Sequence, residues 1–198
     1  MDINTIEEQI KRIKAEKPVA QHILYYKGRQ RKFGVYEIPI ELLRFNYVNS
    51  RLGTEIREYE RSNGLNLAQA PVNKANDLIH DWIWNKTIKA NNSTLSDMKV
   101  KGQMIPGVIT RDGIIVSGNR RFMITRELNK EGLDRQYQTI ILDDTYDDGG
   151  SSELQLKKLE TELQNGEDEK VSYGAIEPYL TIMDFVDRYI EVEAPTLT

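Results

Sequence analysis

Cysteine is absent from the 198 residues, and with it go disulfides, thiolate catalysis and cysteine-ligated zinc. The same absence is compatible with a reducing cytosol. Histidine is scarce too: His22 and His80 are too few for a histidine-rich metal centre. No stretch reaches the roughly 18 apolar residues of a membrane span, and the charged opening MDINTIEEQIKRIKAEKP lacks the apolar run of a secretory leader. The expectation is a soluble cytoplasmic protein. An excess of positive charge is also missing. With 27 Lys and Arg against 31 Asp and Glu the formal net charge is -4, so an anion must be bound by a local cluster and not by bulk charge.

What is there reads as a mixture of helices and short strands, on a length that suits one domain with a small appendage. Ile6, Ile10 and Ile13 recur at helical spacing before Pro18, which predicts an amphipathic opening helix over residues 4–16. HILYY and RKFGVYEIPI flank KGRQ and predict a hairpin closing at Pro39. ELLRFNYVNSR holds too many turn formers for more than one turn around Leu42 and Leu43, and GTEIREYERSNG predicts a short helix stopped at Asn63-Gly64. In NKANDLIHDWIWNK the residues Ala75, Leu78, Ile79, Trp82 and Ile83 make one apolar stripe, with His80 off it and without a partner at metal-ligand spacing.

QMIPGVIT and GIIVS predict a second hairpin turned at Arg111-Asp112-Gly113, and QTIILDD a further strand. The acidic segment DDTYDDGGSS is expected to be a solvated loop. It fails the calcium-loop spacing, since Gln155 or Asp148 falls where glutamate or glycine is required. Ser152 and Gln155 predict a capping box opening a helix with Leu156, Leu159 and Leu163 on one face and Gly166 at its end. A last helix is predicted through Leu180, Met183, Val186 and Ile190, with Pro178 in its first turn. This order predicts an α+β class, a small mixed or antiparallel sheet followed by a helical C-terminal part.

The segment DGIIVSGNRRFMITREL poses the functional question, because Arg120 and Arg121 fall in the first turn of a predicted helix. Cations there oppose the helix dipole by about 0.3–1 kcal/mol each. A strand, a Gly-Asn turn and a helix N-terminus aim free N–H groups at one point, the arrangement of phosphate-binding loops, and a di- or triphosphate would relieve the conflict. Guanidinium suits the task, since its planar fork bonds two phosphate oxygens at once. The other reading sends both arginines into solvent or onto Glu127, Asp112 or the acidic loop. Physics alone leaves the two level.

PGVITRDGIIVSGNRRFMITREL resembles the phosphate-binding signature of the ParB/sulfiredoxin superfamily, where partition-type ParB proteins carry G-E-R-R after a short strand. Here it stands as Gly118-Asn119-Arg120-Arg121. IPIELLRFNYVNSR is similar to the ParB N-terminal opening, and LETELQNGEDEKVSYGAIEPYL loosely resembles the helix of the second nucleotide motif. The resemblance spans residues 38–180, with a longer insertion from Arg57 to Gln103. It implies an N-terminal helix and hairpin extension (1–35), a ParB/sulfiredoxin-like nucleotide-binding domain (36–148) and a helical part (149–198). It further implies a nucleoside triphosphate, CTP or ATP, bound with Mg²⁺. Ser117, Gly118, Asn119, Arg120, Arg121 and Arg51 would hold phosphates, and Glu160 or Glu162 would assist the metal.

On this resemblance the chain would be a nucleotide-dependent switch or slow NTP hydrolase in a DNA-associated process such as partition, forming a homodimer. DNA contact would run through another domain or partner. Asparagine for glutamate at position 119, and the departures in the second motif, bear on hydrolysis and on the choice of base. Alternatives on the same scaffold are a phosphotransferase, a nuclease using Asp143, Asp144, Asp147 and Asp148, or a non-enzymatic interaction module. Sulfiredoxin chemistry is excluded by the missing cysteine.

Overall fold

In the computed structural model, which describes residues 3–47, 52–64, 66, 67 and 70–167, the opening helix α1 (Ile3–Lys14) buries Ile6 and Ile10, one turn apart. The predicted hairpin follows as β1 (Ala20–Tyr26) and β2 (Arg29–Ile38). Its turn is tighter than KGRQ. Lys27 and Gly28 alone take positive φ, 50° and 75°, the backbone whose twist matches the flanking strands, so Arg29 and Gln30 join β2. After a single 3-10 turn at Ile40–Leu42, Arg44 bridges Ile114 in parallel. Helix α2 (Gly53–Asn63) ends at Gly64 in the left-handed conformation, φ 61°, as the Asn-Gly pair predicts.

Helix α3 (Val72–Lys86) forms where expected but turns a different face inward. Asn76, Ile79 and His80 are buried, while Ala75, Leu78, Trp82 and Ile83 are half-buried. Polar hooks override the apolar stripe. The Phe45 N–H donates to Asn76 Oδ1 (3.0 Å), Asn76 Nδ2 donates to the Leu43 carbonyl (2.9 Å), and His80 Nε2 lies 2.7 Å from Glu127 Oε1. Helix α4 (Ile88–Lys101) was not predicted. Its two buried residues, Asn91 and Met98, make no apolar periodicity.

Strands β3 (Gly107–Ile109) and β4 (Ile115–Ser117) form the second hairpin; helix α5 (Asn119–Lys130), strand β5 (Tyr137–Ile141) and helix α6 (Gly150–Glu167) follow. The sheet order is β1-β2-β5-β3-β4, antiparallel except that β3 and β5 run parallel. The class is α+β with a small mixed sheet, as predicted. Core residues Ile38, Ile109, Tyr137 and Ile140 lie on the central strands and Ile115 on β4, and α5 contributes Phe122, Met123, Ile124, Thr125 and Leu128.

Two expectations about the C-terminal half are corrected. Helix α6 begins at Gly150 and runs past Gly166, and Ser152 makes no capping box; its hydroxyl donates to Asp144 Oδ1 (3.0 Å). The acidic segment is solvated at Asp143, Asp147 and Asp148, as expected, but it is also anchored. Asp144 is 9 % exposed and also accepts from the Tyr26 hydroxyl (2.9 Å) and Lys27 Nζ (2.6 Å). Lys14 holds Asp143, and Arg111 holds Asp148 through two 2.7 Å bonds. The Arg111 bonds, followed by the Thr145 N–H, hold the Asp148 carboxyl below the ordinary carboxylate range. Burial alone would raise Asp144, but the bonds from Lys27, Tyr26 and Ser152 outweigh it and hold that carboxyl low as well.

The chain divides into two compact units, Met1–Asn46 with Pro71–Gly166, and Tyr47–Ala70 with Glu167–Thr198. The boundary expected at residue 35 would cut β2, and the one expected at 148 falls inside the first unit. The helix predicted around residues 180–190, with Pro178, lies outside the described residues. Among those described, no helix is long and apolar enough to cross a membrane.

Candidate functional site

The approach to the arginines is built at the β3–β4 turn. Gly113 takes φ 84° there, which a residue with a β-carbon adopts only under strain. The Thr110 hydroxyl donates to Asp112 Oδ1 (2.5 Å) and accepts from the Ile114 N–H (3.0 Å). Asp112, 3 % exposed, also holds Arg44 at 2.6 Å. This buried pair closes the turn, so that β4 leads directly into α5.

Ser117 ends β4 and is buried; Gly118, at φ 102° and ψ 22°, reverses the chain; Asn119, Arg120 and Arg121 open α5. The five motif residues thus occupy one strand-turn-helix junction. Gly118 has a second reason to be glycine. A β-carbon at this position would lie 2.2 Å from the Tyr137 hydroxyl, which donates to the Gly118 carbonyl (3.0 Å), and 3.1 Å from Arg121 Nη2. Tyr137 in turn packs edge-on against Phe122, at 5.7 Å between ring centres. The Arg121 guanidinium therefore lies along the turn itself.

Arg120 goes the other way, to the α3–α4 junction. Its Nη2 donates to Thr87 Oγ1 (3.0 Å), and Thr87 precedes the first residue of α4. The Thr87 hydroxyl faces Asn91 Oδ1 at 3.4 Å, and the fully buried Asn91 donates to the carbonyls of Ile83 and Trp84 (2.9 and 2.8 Å). Asn91 thereby satisfies carbonyls that the end of α3 leaves open. Neither α4 nor α5 has an acidic residue in its first turn or a side-chain cap among the described residues. Arg120 Nε and Asn119 Oδ1 are buried without a hydrogen-bond partner among the described residues.

Most of the carboxylates weighed as partners for the arginines have other partners. Glu127 faces His80 and Lys130, Asp112 holds Arg44, and Asp143, Asp144 and Asp148 hold Lys14, Lys27 and Arg111. His80 is itself structural. It is 3 % exposed and stacks on Trp84 at 6.5 Å, and burial, followed by Lys130 and Arg126, lowers its pKa below the ordinary value against the opposing pull of Glu127.

Glu160 and Glu162 do not form a joint metal site. Two positions apart on α6, they point to different sides. Glu160 is 5 % exposed and accepts from Asn46 Nδ2 (3.3 Å), the Tyr146 hydroxyl (3.5 Å) and Gln164 Nε2 (2.9 Å), whereas Glu162 is exposed. Burial and then Glu160 push the Tyr146 hydroxyl well above the ordinary tyrosine value, which keeps it a donor. Among the described residues no group of three or more His, Asp or Glu is placed to hold a metal ion. Arg51 lies outside the described residues.

Thr87, Asn91, Tyr137, Asn46 and Tyr146 were missed by sequence reasoning. Thr87 carried a signal, a threonine just ahead of a helix; the others are defined only by what they meet across the fold. No family model, no curated protein and no solved structure matches the chain.

Proposed function

We propose that the β4–α5 junction binds the phosphates of a nucleoside triphosphate, CTP or ATP, and that the chain acts as a Mg²⁺-dependent switch or slow NTP hydrolase in a DNA-associated process. One observation carries the reading. Two arginines occupy the first turn of an acid-free helix behind a left-handed glycine, and Arg120 Nε is buried there without a hydrogen-bond partner among the described residues. A polyanion removes the conflict between guanidinium and helix dipole, and accepts hydrogen bonds from the free N–H groups of the first turn. Mg²⁺ would arrive with the nucleotide and neutralise charge between its phosphates. With net charge -4, DNA contact is assigned to another domain or partner, because several phosphate-neutralising cations are needed for non-specific affinity.

The test is calorimetric titration of the chain with CTP, ATP, GTP and UTP, with and without Mg²⁺, beside Arg120→Ala/Arg121→Ala. Charge-assisted hydrogen bonds contribute about 1.5–3 kcal/mol each, so the double variant is expected to lose at least about a hundredfold in affinity while its circular dichroism is unchanged. Equal binding by the double variant, or no binding of any nucleotide by the wild type, overturns the reading.

A further inference from the structure

Strand β1 is an edge of the sheet without the usual protections. It pairs with β2 on one side, and no strand among the described residues pairs with the other. Proteins guard such edges with charges, prolines or bulges. AQHILYY contains no Asp, Glu, Lys, Arg or proline, and its register with β2 runs unbroken from Ala20↔Val35 to Tyr26↔Arg29. Leu24 and Tyr26 are buried, whereas Ile23 and Tyr25 on the opposite face are 62 % and 51 % exposed, beside Val19 at 55 %.

The two-residue turn sets the direction of the free groups. In such hairpins the residues flanking the turn, here Tyr26 and Arg29, form a hydrogen-bonded pair, and these alternate along an antiparallel ladder. The even-numbered residues of β1 therefore bond to β2. Gln21, Ile23 and Tyr25 turn their N–H and C=O groups outward.

We infer that the β1 edge is the interface for a second copy of this chain, paired antiparallel about a two-fold axis at Ile23. That register sets Ile23 against the partner's Ile23 and Gln21 against the partner's Tyr25, on both sides of the axis. All three outward residues pair, giving about six backbone hydrogen bonds, and the two sheets become continuous. The occupant is a second copy because the strand is neutral and self-complementary. No like charges meet within the paired residues, and the nearest cation on the turn side, Lys27, is bound to Asp144 of its own chain. On the exposed face the register gathers Ile23 and Tyr25 of both copies, covering apolar surface that each leaves in water.

Sedimentation of the full chain from micromolar to submillimolar concentration, with Ile23→Lys and Ile23→Cys variants, tests this. The wild type is expected to dimerise, and Ile23→Lys, which sets like charges on the axis, to raise the dissociation constant at least about tenfold with an unchanged circular dichroism spectrum. The chain has no cysteine, so oxidised Ile23→Cys is expected to give one disulfide-linked dimer, while Lys32→Cys, one strand inward, gives none. A wild type that stays monomeric with no cross-link through Ile23→Cys overturns the proposal. So does a dimer indifferent to Ile23→Lys, or an edge that takes up a foreign extended peptide while the chain stays monomeric.

Discussion

Asp112 shows at the scale of one residue how the site is carried by a group outside it. In the sequence it reads as a turn former before Gly113 and as one candidate partner for the arginines. In the fold it is buried between Arg44 and Thr110, so its charge is spent on the turn. Asp112→Ala leaves the Arg44 guanidinium buried beside an empty position, and a broken buried pair costs about 3–5 kcal/mol. Urea unfolding is expected to show that loss, and a double variant with Arg44→Met and Asp112→Leu to recover most of it, since two apolar groups need no counter-charge. Gly118 is a similar case. Its glycine was legible as a turn before a helix, but the Tyr137 hydroxyl that fills the space of a β-carbon stands on β5 and was invisible in the sequence.

Among the elements, the junction between α3 and α4 matters most for the arginines. Asn91 joins the end of α3 to Thr87, and Thr87 receives Arg120 from α5. Three helices thereby fix one guanidinium. On the proposed function, Thr87→Val removes the acceptor and is expected to weaken triphosphate binding about three- to tenfold, a neutral hydrogen bond being worth about 0.5–1.5 kcal/mol. Thr87→Ser keeps the hydroxyl and should bind as the wild type does. Titration calorimetry of the two variants separates this role from a packing role of the methyl group, which Thr87→Val keeps and Thr87→Ser loses. The sequence hid the arrangement because α4 buries Asn91 and Met98 and carries no apolar stripe, so periodicity had nothing to register. The same limit explains α3: its helix was legible, but its inward face was decided by the hydrogen bonds of Asn76 and by the contact of His80 Nε2 with Glu127 on α5.

For the whole molecule, three groups among the described residues weaken the fold on the acid side. His80, Asp144 and Asp148 all hold their protons less tightly in the fold than in the unfolded chain. Between the unfolded and folded pKa of each group the unfolded state binds more protons, so stability falls as pH falls. The histidine acts first, from about pH 6.5 downward, and the carboxylates from about pH 4 downward. Urea midpoints are expected to drop in two stages on acidification. His80→Gln, which keeps a donor for Glu127 but does not titrate, should abolish the upper stage and leave the lower one. An unchanged upper stage would assign it to a group other than His80.

The α+β class, the two hairpins, the helices α1, α2, α3, α5 and α6, and the strand-turn-helix order around Ser117 to Arg121 were all determined by the sequence alone. Each rests on local chemistry: β-branched runs, glycine at positive φ, apolar spacing along a helix. Only the tertiary structure decided that the acidic segment is anchored by Lys14, Lys27 and Arg111, that Glu160 is enclosed by Asn46, Tyr146 and Gln164, and that Arg120 and Arg121 leave their helix in different directions. Most of the partners in these contacts come from distant parts of the chain, as Lys14 and Asn46 do. A polar side chain takes the nearest complementary group when it is buried, and which group is nearest is a property of the folded backbone and not of the neighbouring residues.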